Sequence, residues 1–454
     1  MSLAEVRSWM HEPDPRTFPY DAVVRDYHGD GKHFVRPELL ALLDEVRGML
    51  PSMHGQWPHL RTLAAFLATA LDKPDGAYDY PSYLALPLLQ LPHVDDAPEQ
   101  APFALARCDR LLVQLVADAM AFELAALGGR TTLLPRLRPD AELVAKRLKH
   151  GLRAIRPALA RMSLDHRLTA TSTEDLARQV CSVVDADMSL AERRTARLTI
   201  LPVYTAHDEY LFLRVLQSFE TTFALLAVQL RAAVTALGDG DVARAVFFLD
   251  RSAGALEAST PLFSMLATMQ VESFRTFREF TDGASAIQSR NYKLVESLCR
   301  PPDGERVDSA AFTSVPPVRA RVLAGQDTLE EAREAAIARG LTPDDRRRLD
   351  ASMAAFAGVL TRWRNTHYRV AVRMLGTATG TGSTAGTPYL DAVRSIPVFR
   401  SVDPEDRTHE AGHAGRRSTA RQIDQTPQQT AQQTRGRTGC PAGATTDEVR
   451  TSCP

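Results

Sequence analysis

The chain has 454 residues, enough to bury at least one large core and, by length alone, to form two or three domains. Hydrophobic residues make up 44% and charged residues 24%, as in an ordinary globular protein, and the formal charge of -1 excludes the basic excess typical of nucleic-acid or anionic-membrane binding. The five cysteines lack metal-ligand spacing, and neither a signal peptide nor an apolar run of roughly 18 residues is recognisable. We therefore expect a cytoplasmic protein with no nucleic-acid and no membrane partner.

Helical periodicity dominates the chain and predicts an all-α fold. It is clear over residues 36–50, 104–129 and 140–162, whereas strand-like alternation is scarce. Proline-bearing connections around 74–102 and 163–195 follow these helices, and the second is the preferred domain boundary. We expect a helical N-terminal region of unknown role over 1–165, a connection over 166–199 and a second helical domain over 200–402.

A long amphipathic helix is predicted over residues 207–240, beginning at the sequence "HDE" and ending at a glycine. Three consecutive helical residues point in different directions, so His207, Asp208 and Glu209 are a poor metal site. We expect the two acids to interact with the helix dipole.

A shorter helical stretch within residues 269–296 carries Phe274, Phe277 and Arg278 on adjacent faces and breaks at "DGAS". An arginine beside aromatic rings can bind a carboxylate through two hydrogen bonds while the rings hold an apolar group. A solvated arginine is the alternative.

An apolar stripe with one histidine marks the helix before Gly376, a good C-terminal cap. A buried neutral imidazole needs partners for both ring nitrogens, or it costs on the order of 1–3 kcal/mol. An iron atom is one such partner for His367, and a hydrogen-bonded core histidine is the more common alternative. The stripe consists of Met353, Phe356, Leu360, Trp363, His367, Val370 and Met374.

Two segments near the C-terminus are not predicted to be helical. The loop "TATGTGSTAGTPYL" (377–390) is rich in glycine and threonine, which suits a flap over a polar substrate; a phosphate loop is the weaker interpretation because no strand precedes it. Residues 403–454 are nearly devoid of large apolar side chains, and their composition predicts a disordered tail.

Three of these segments, in this order, resemble motifs of the tryptophan 2,3-dioxygenase family of histidine-ligated heme oxygenases. "HDEYLFLRVLQSFE" is similar to the family's HDE-x-LFI-x-x-HQ-x-x-E-L helix. "FRTFREFTDGASAIQSRNYKLVE" is similar to F-x-x-FR-x-x-L-x-x-ASGFQS-x-QFR, and "RWRNTHYRVAVRMLGTATGTGSTAGTPYL" to the ending W-R-x-x-H-x-x-x-V-x-R-x-x-G-x-x-x-GTGG-S-x-G-x-x-YL. The resemblance covers roughly residues 200–400 and identifies them as a heme-binding, dioxygenase-like domain.

The resemblance implies a site composed of heme b and an aromatic amino acid substrate, with dioxygen or peroxide as oxidant. Arg278 and Thr381 would bind the substrate's carboxylate and ammonium groups, and His367 would be the proximal ligand of the heme iron. No catalytic residue is assigned. The remaining implied positions are the substrate pocket residues Phe274, Phe212 and Ser285 and the distal pocket residue Leu216.

Two departures from the family pattern bear on the activity. Leu216 stands where the dioxygenases have a distal histidine that meets the indole N–H, and the family's N-terminal tyrosine-bearing segment, which lines a neighbouring subunit's pocket, is not evident ahead of His207. The first hypothesis is ring-cleaving dioxygenation of tryptophan or a substituted tryptophan. Two alternatives are hydroxylation of tyrosine or a related amino acid in secondary metabolism, and a non-catalytic heme-binding or scaffold protein. The family also implies a possible homo-oligomer.

Overall fold

The computed structural model describes residues 2–53, 57–376 and 386–401. Within these ranges all regular secondary structure is helical, apart from one isolated bridge between Arg136 and Ala206. The prediction of an all-α fold is confirmed. The predicted tail, and residues 377–385 of the predicted flap, lie outside the described residues.

Ten α-helices precede the segment that carries the first motif. They are α1 (Ser2–His11), α2 (Tyr20–Asp30), α3 (Pro37–Met49), α4 (Trp57–Ala70), α5 (Tyr80–Tyr83), α6 (Leu86–Leu89), α7 (Ala101–Leu127), α8 (Ala141–Arg161), α9 (Thr173–Asp187) and α10 (Leu190–Leu198).

Eleven further α-helices follow within the described residues. They are α11 (Asp208–Gly238), α12 (Val242–Ala258), α13 (Thr260–Leu266), α14 (Val271–Arg278), α15 (Arg290–Cys299), α16 (Gly304–Asp308), α17 (Ala310–Thr313), α18 (Pro316–Leu323), α19 (Leu329–Ala338), α20 (Pro343–Leu375) and α21 (Thr387–Arg394).

Local signals explain where the longest helix begins and ends. At the start of α20 the Thr342 side chain accepts a hydrogen bond from the backbone N–H of Asp345, and Pro343 occupies the first turn. At its end Gly376 adopts φ +60°, a left-handed value that glycine accepts without steric cost. The predicted stop at Gly376 is confirmed.

Helix α11 runs through the centre of the molecule and is buried on almost every side. Among the described helices it is the one that is long and apolar enough to cross a membrane by length and composition, which the sequence analysis did not anticipate. However, 89% of its most apolar window is buried inside the protein. A helix that is apolar all round is typical of the core of a large protein.

The N-terminal helices share the main core with the later ones. Helix α7 packs along α11, and α8 packs against α7, so the largest apolar cluster extends from Val94 to Phe399. A second cluster joins α1 to α4. The segment 166–199, expected to be a connection, contains α9 and α10; the domain boundaries stay predictions.

Candidate functional site

A large cavity opens between α11, α13, α14, α15, α20 and α21. Its empty volume is about 1660 Å³, including the part that is open to solvent. The structure brings six of the seven predicted site residues to its walls, and Thr381 lies outside the described residues. The six are Phe212, Leu216, Phe274, Arg278, Ser285 and His367.

One face of α11 forms an apolar wall of this cavity. Phe212, Leu216, Phe219 and Phe223 line it at helical spacings of three and four residues. The Phe212 ring centroid lies 5.8 Å from that of Phe274 on α14, in an edge-to-face arrangement. Leu216 therefore belongs to a continuous hydrocarbon surface and offers no hydrogen bond to a ligand.

His367 lines the cavity from α20 and is the one histidine among the described lining residues. Its ring centroid lies 5.2 Å from that of Trp363 and 6.3 Å from that of Phe263, and burial lowers the pKa of its imidazole to about 4. No described residue donates to or accepts from its ring nitrogens by hydrogen bond or ion pair. The imidazole is therefore neutral near pH 7 and can coordinate a ligand in the cavity.

Arg278 and Ser285 line the cavity at the end of α14 and in the loop that follows. Burial lowers the pKa of the Arg278 guanidinium from its usual value, while the nearby Asp282 carboxylate opposes that shift. Ser285 is buried and begins the 3₁₀ turn Ala286–Gln288. The arginine remains a cation near pH 7 and suits an anionic group such as a carboxylate.

Three further cations line the cavity: Lys293, Arg364 and Arg394. Lys293 Nζ lies 3.1 Å from the Glu296 carboxylate, and burial lowers the pKa of Lys293 to about 8. Glu220 is the one acid among the described lining residues. With Arg278 the cavity has four cations against one carboxyl group, so it favours a negatively charged ligand. A usable signal was the position of Arg364, three residues before His367 and on the same helical face.

Sequence reasoning also missed two tyrosines from the N-terminal region. Tyr80 and Tyr83, in the short helix α5, line the same cavity. The Tyr83 hydroxyl donates to Glu209 Oε1 at 3.2 Å. No local pattern links α5 to residues more than 120 positions later, and only the tertiary packing brings them together.

The acids of the "HDE" sequence have different partners from those expected. Glu209 accepts hydrogen bonds from the backbone N–H groups of Val203 at 2.6 Å and Tyr204 at 3.1 Å, in the loop before α11. Asp208 accepts from Arg147 at 2.7 Å. Both carboxylates are fully buried and join α11 to other segments, so ion pairing and loop closure explain them better than the helix dipole.

The residues at the cavity fit the heme that the family resemblance implies. An unpartnered neutral imidazole is a suitable axial ligand, the apolar walls suit the faces of a macrocycle, and the lining cations suit its carboxylates. Elsewhere in the described parts of the chain, no group of three His, Cys, Asp or Glu side chains is arranged to hold a metal ion.

Comparisons with known proteins agree with the resemblance. The family model described as tryptophan 2,3-dioxygenase matches residues 191–311. A tryptophan 2,3-dioxygenase of Bradyrhizobium sp. strain ORS 278 is 28% identical over 232 residues, which is 44% of this chain and 83% of that protein. One from Erythrobacter litoralis is 27% identical over 255 residues, covering 48% of this chain and 93% of that protein. One from Ruegeria pomeroyi is 26% identical over 232 residues, covering 44% and 84%.

Proposed function

We propose, for a chain that is a divergent member of the tryptophan 2,3-dioxygenase family, that it is a heme-dependent oxygenase of free aromatic L-amino acids. The first candidate substrate is tryptophan or a ring-substituted tryptophan, with dioxygen as oxidant. The observation that carries the proposal is one cavity lined by both an unpartnered neutral imidazole, His367, and a guanidinium, Arg278.

In this proposal His367 holds the heme iron from α20. Its low pKa keeps the ring nitrogens unprotonated across the neutral range, so a proton does not compete with the metal. Trp363 and Phe263 pack beside the ring and restrict its rotation. When bound, heme supplies an iron centre able to activate dioxygen on the face away from the histidine.

The substrate is oriented by its own zwitterionic end. Arg278 forms the carboxylate contact, Ser285 adds a hydroxyl at the same end, and Thr381 of the flap would complete the set if it follows the family pattern. Phe212 and Phe274 contact the aromatic ring and exclude water around it. Fixing both ends of the substrate lowers the entropic part of the barrier.

The first test is the absorption spectrum of the protein expressed with a heme precursor, in the ferric and the reduced state. We expect a Soret band of five-coordinate histidine character in wild type and its loss or alteration in His367→Ala. The exposed His166, changed to alanine, is the matched control and should leave the band intact. A wild-type protein without bound heme, or a His367→Ala protein with an unaltered band, would refute the assignment.

The second test asks whether the pocket takes an amino acid. An aromatic amino acid should perturb the heme spectrum of wild type and not that of Arg278→Ala. A spectrum that no aromatic amino acid changes would favour a non-catalytic heme-binding or scaffold protein.

A second candidate reaction is hydroxylation without ring cleavage. Leu216 favours it, because the apolar face of α11 provides no partner for an indole N–H at this position and so weakens discrimination in favour of tryptophan. Product mass separates the two reactions when tryptophan and tyrosine are each offered with dioxygen or peroxide. A gain of two oxygen atoms supports dioxygenation, and a gain of one supports hydroxylation.

A further inference from the structure

The segment 73–83 of the N-terminal region contacts the loop that follows Arg278. Lys73 Nζ donates a hydrogen bond to the backbone carbonyl of Phe280 at 2.9 Å. The backbone N–H of Tyr80 donates to Gln288 Oε1 at 3.0 Å, and that same oxygen accepts from the N–H of Ser285, also at 3.0 Å. Both ends of the loop 280–288 are therefore bonded to segment 73–83 or share an acceptor with it.

The middle of this loop lies directly against the same segment. Gly283 adopts φ +96°, and a Cβ atom there would lie 3.2 Å from the carbonyl oxygen of Tyr78. The loop can approach this closely only because residue 283 has no side chain. The ammonium of Lys73 also lies 3.9 Å from the centroid of the Tyr78 ring, a cation–π contact that restrains the lysine.

Side chains of the segment extend this connection to the central helix. The Tyr83 ring centroid lies 6.4 Å from that of Phe212, and the Tyr80 hydroxyl bonds to the buried Glu220 carboxyl group. Glu220 also accepts from the Ser289 hydroxyl and from Asn291 Nδ2, the latter at 3.0 Å. Segment 73–83 is thus bonded to α11 and to the residues that lead into α15.

We infer that segment 73–83 forms a wall of the substrate pocket within the same chain and positions the loop bearing Ser285, with Lys73 as a positioning residue and Tyr80 and Tyr83 as wall residues that shape the space for the aromatic ring. The identity of the ligand rests on the proposed function, whereas the wall itself rests on the contacts described above. This gives part of the N-terminal region a role in binding.

The physical reason for this role is the cost of ordering the loop. Between α14 and α15 the chain has only the short 3₁₀ turn Ala286–Gln288, so few backbone hydrogen bonds of its own hold it. If the Lys73 bond is lost, the loop samples other conformations, and binding of the amino acid must then order it again. The Lys73 variant should therefore bind substrate more weakly without binding heme more weakly.

The test compares Lys73→Met with Lys73→Arg, which keeps a cationic donor, and with Lys146→Met, a control at an exposed lysine of α8. Hydrogen exchange of the full chain reports on the backbone amides of residues 281–289. Heme-band titration reports the Kd for L-tryptophan, and the melting temperature and heme affinity are measured in parallel.

We expect Lys73→Met to speed exchange at 281–289 and to raise the Kd for L-tryptophan about tenfold, the equivalent of about 1.4 kcal/mol. Lys73→Arg should remain within about threefold of wild type, and Lys146→Met should change neither quantity. The inference is wrong if Lys73→Met leaves exchange at 281–289 unchanged. It is also wrong if heme affinity and melting temperature fall together with tryptophan affinity, because that pattern indicates a general loss of structure. Wild type that binds no tryptophan would refute the proposed function, and the exchange result would still decide the wall.

Discussion

Replacing Arg147 by methionine should cost a large part of the protein's stability. The guanidinium is fully buried and bridges two carboxylates, with Nη1 at 2.7 Å from Glu123 and Nη2 at 2.7 Å from Asp208. These contacts connect α7, α8 and the first residue of α11, the helix that carries Phe212 and Leu216 into the cavity. Methionine preserves much of the aliphatic volume and removes the charge.

The expected magnitude follows from what the two carboxylates retain. Glu123 keeps His207 Nε2 at 3.1 Å, and Asp208 keeps the backbone N–H of Gln270 at 2.6 Å. Neither contact replaces the lost cation, and removing one partner of a buried ion pair typically costs about 3–5 kcal/mol. We therefore expect the free energy of unfolding to fall by about 4 kcal/mol.

Urea unfolding of the heme-free chain, followed by circular dichroism, measures this loss. Lys146→Met is the matched control one residue earlier, where an exposed pair with Glu142 should contribute within about 1 kcal/mol. In the Arg147→Met background, Asp208→Asn should recover part of the loss because it removes one uncompensated charge. A loss below about 1 kcal/mol, or no recovery in the double variant, would refute the reasoning.

Two further predictions concern Lys293 and Gly283. Because burial lowers the folded-state pKa of Lys293 from 10.5 to about 8, the unfolded chain binds more protons between these values. The free energy of unfolding of wild type should therefore rise relative to Lys293→Met as pH increases through this window, and parallel pH profiles would contradict the argument. Gly283→Ala should lower the same free energy by about 1–3 kcal/mol, because alanine is strained at φ +96°. Gly254→Ala in α12, where nothing lies within 4 Å, should not lower it, and equal losses in both variants would exclude backbone strain as the cause.

Local patterns in the sequence were sufficient for the helices and for most of the candidate site. The end of α20 at Gly376 follows from the conformational freedom of glycine, and the spacing of its stripe correctly placed His367 among apolar neighbours. Phe274 and Arg278 likewise reach the cavity, because residues four apart on a helix share a face. These features depend on neighbours within one or two helical turns, and the sequence states those neighbours directly.

Other features depend on which helices pack together, and only the tertiary structure decided them. The partners of Asp208 and Glu209 are Arg147 and Tyr83, from helices far earlier in the chain, and the wall residue Tyr80 contacts a loop about 200 positions later. Such contacts form because folding must pair every buried charge and backbone N–H with whatever group the packing brings near. Sequence periodicity identifies which face of a helix is buried, but it does not identify the element that covers that face.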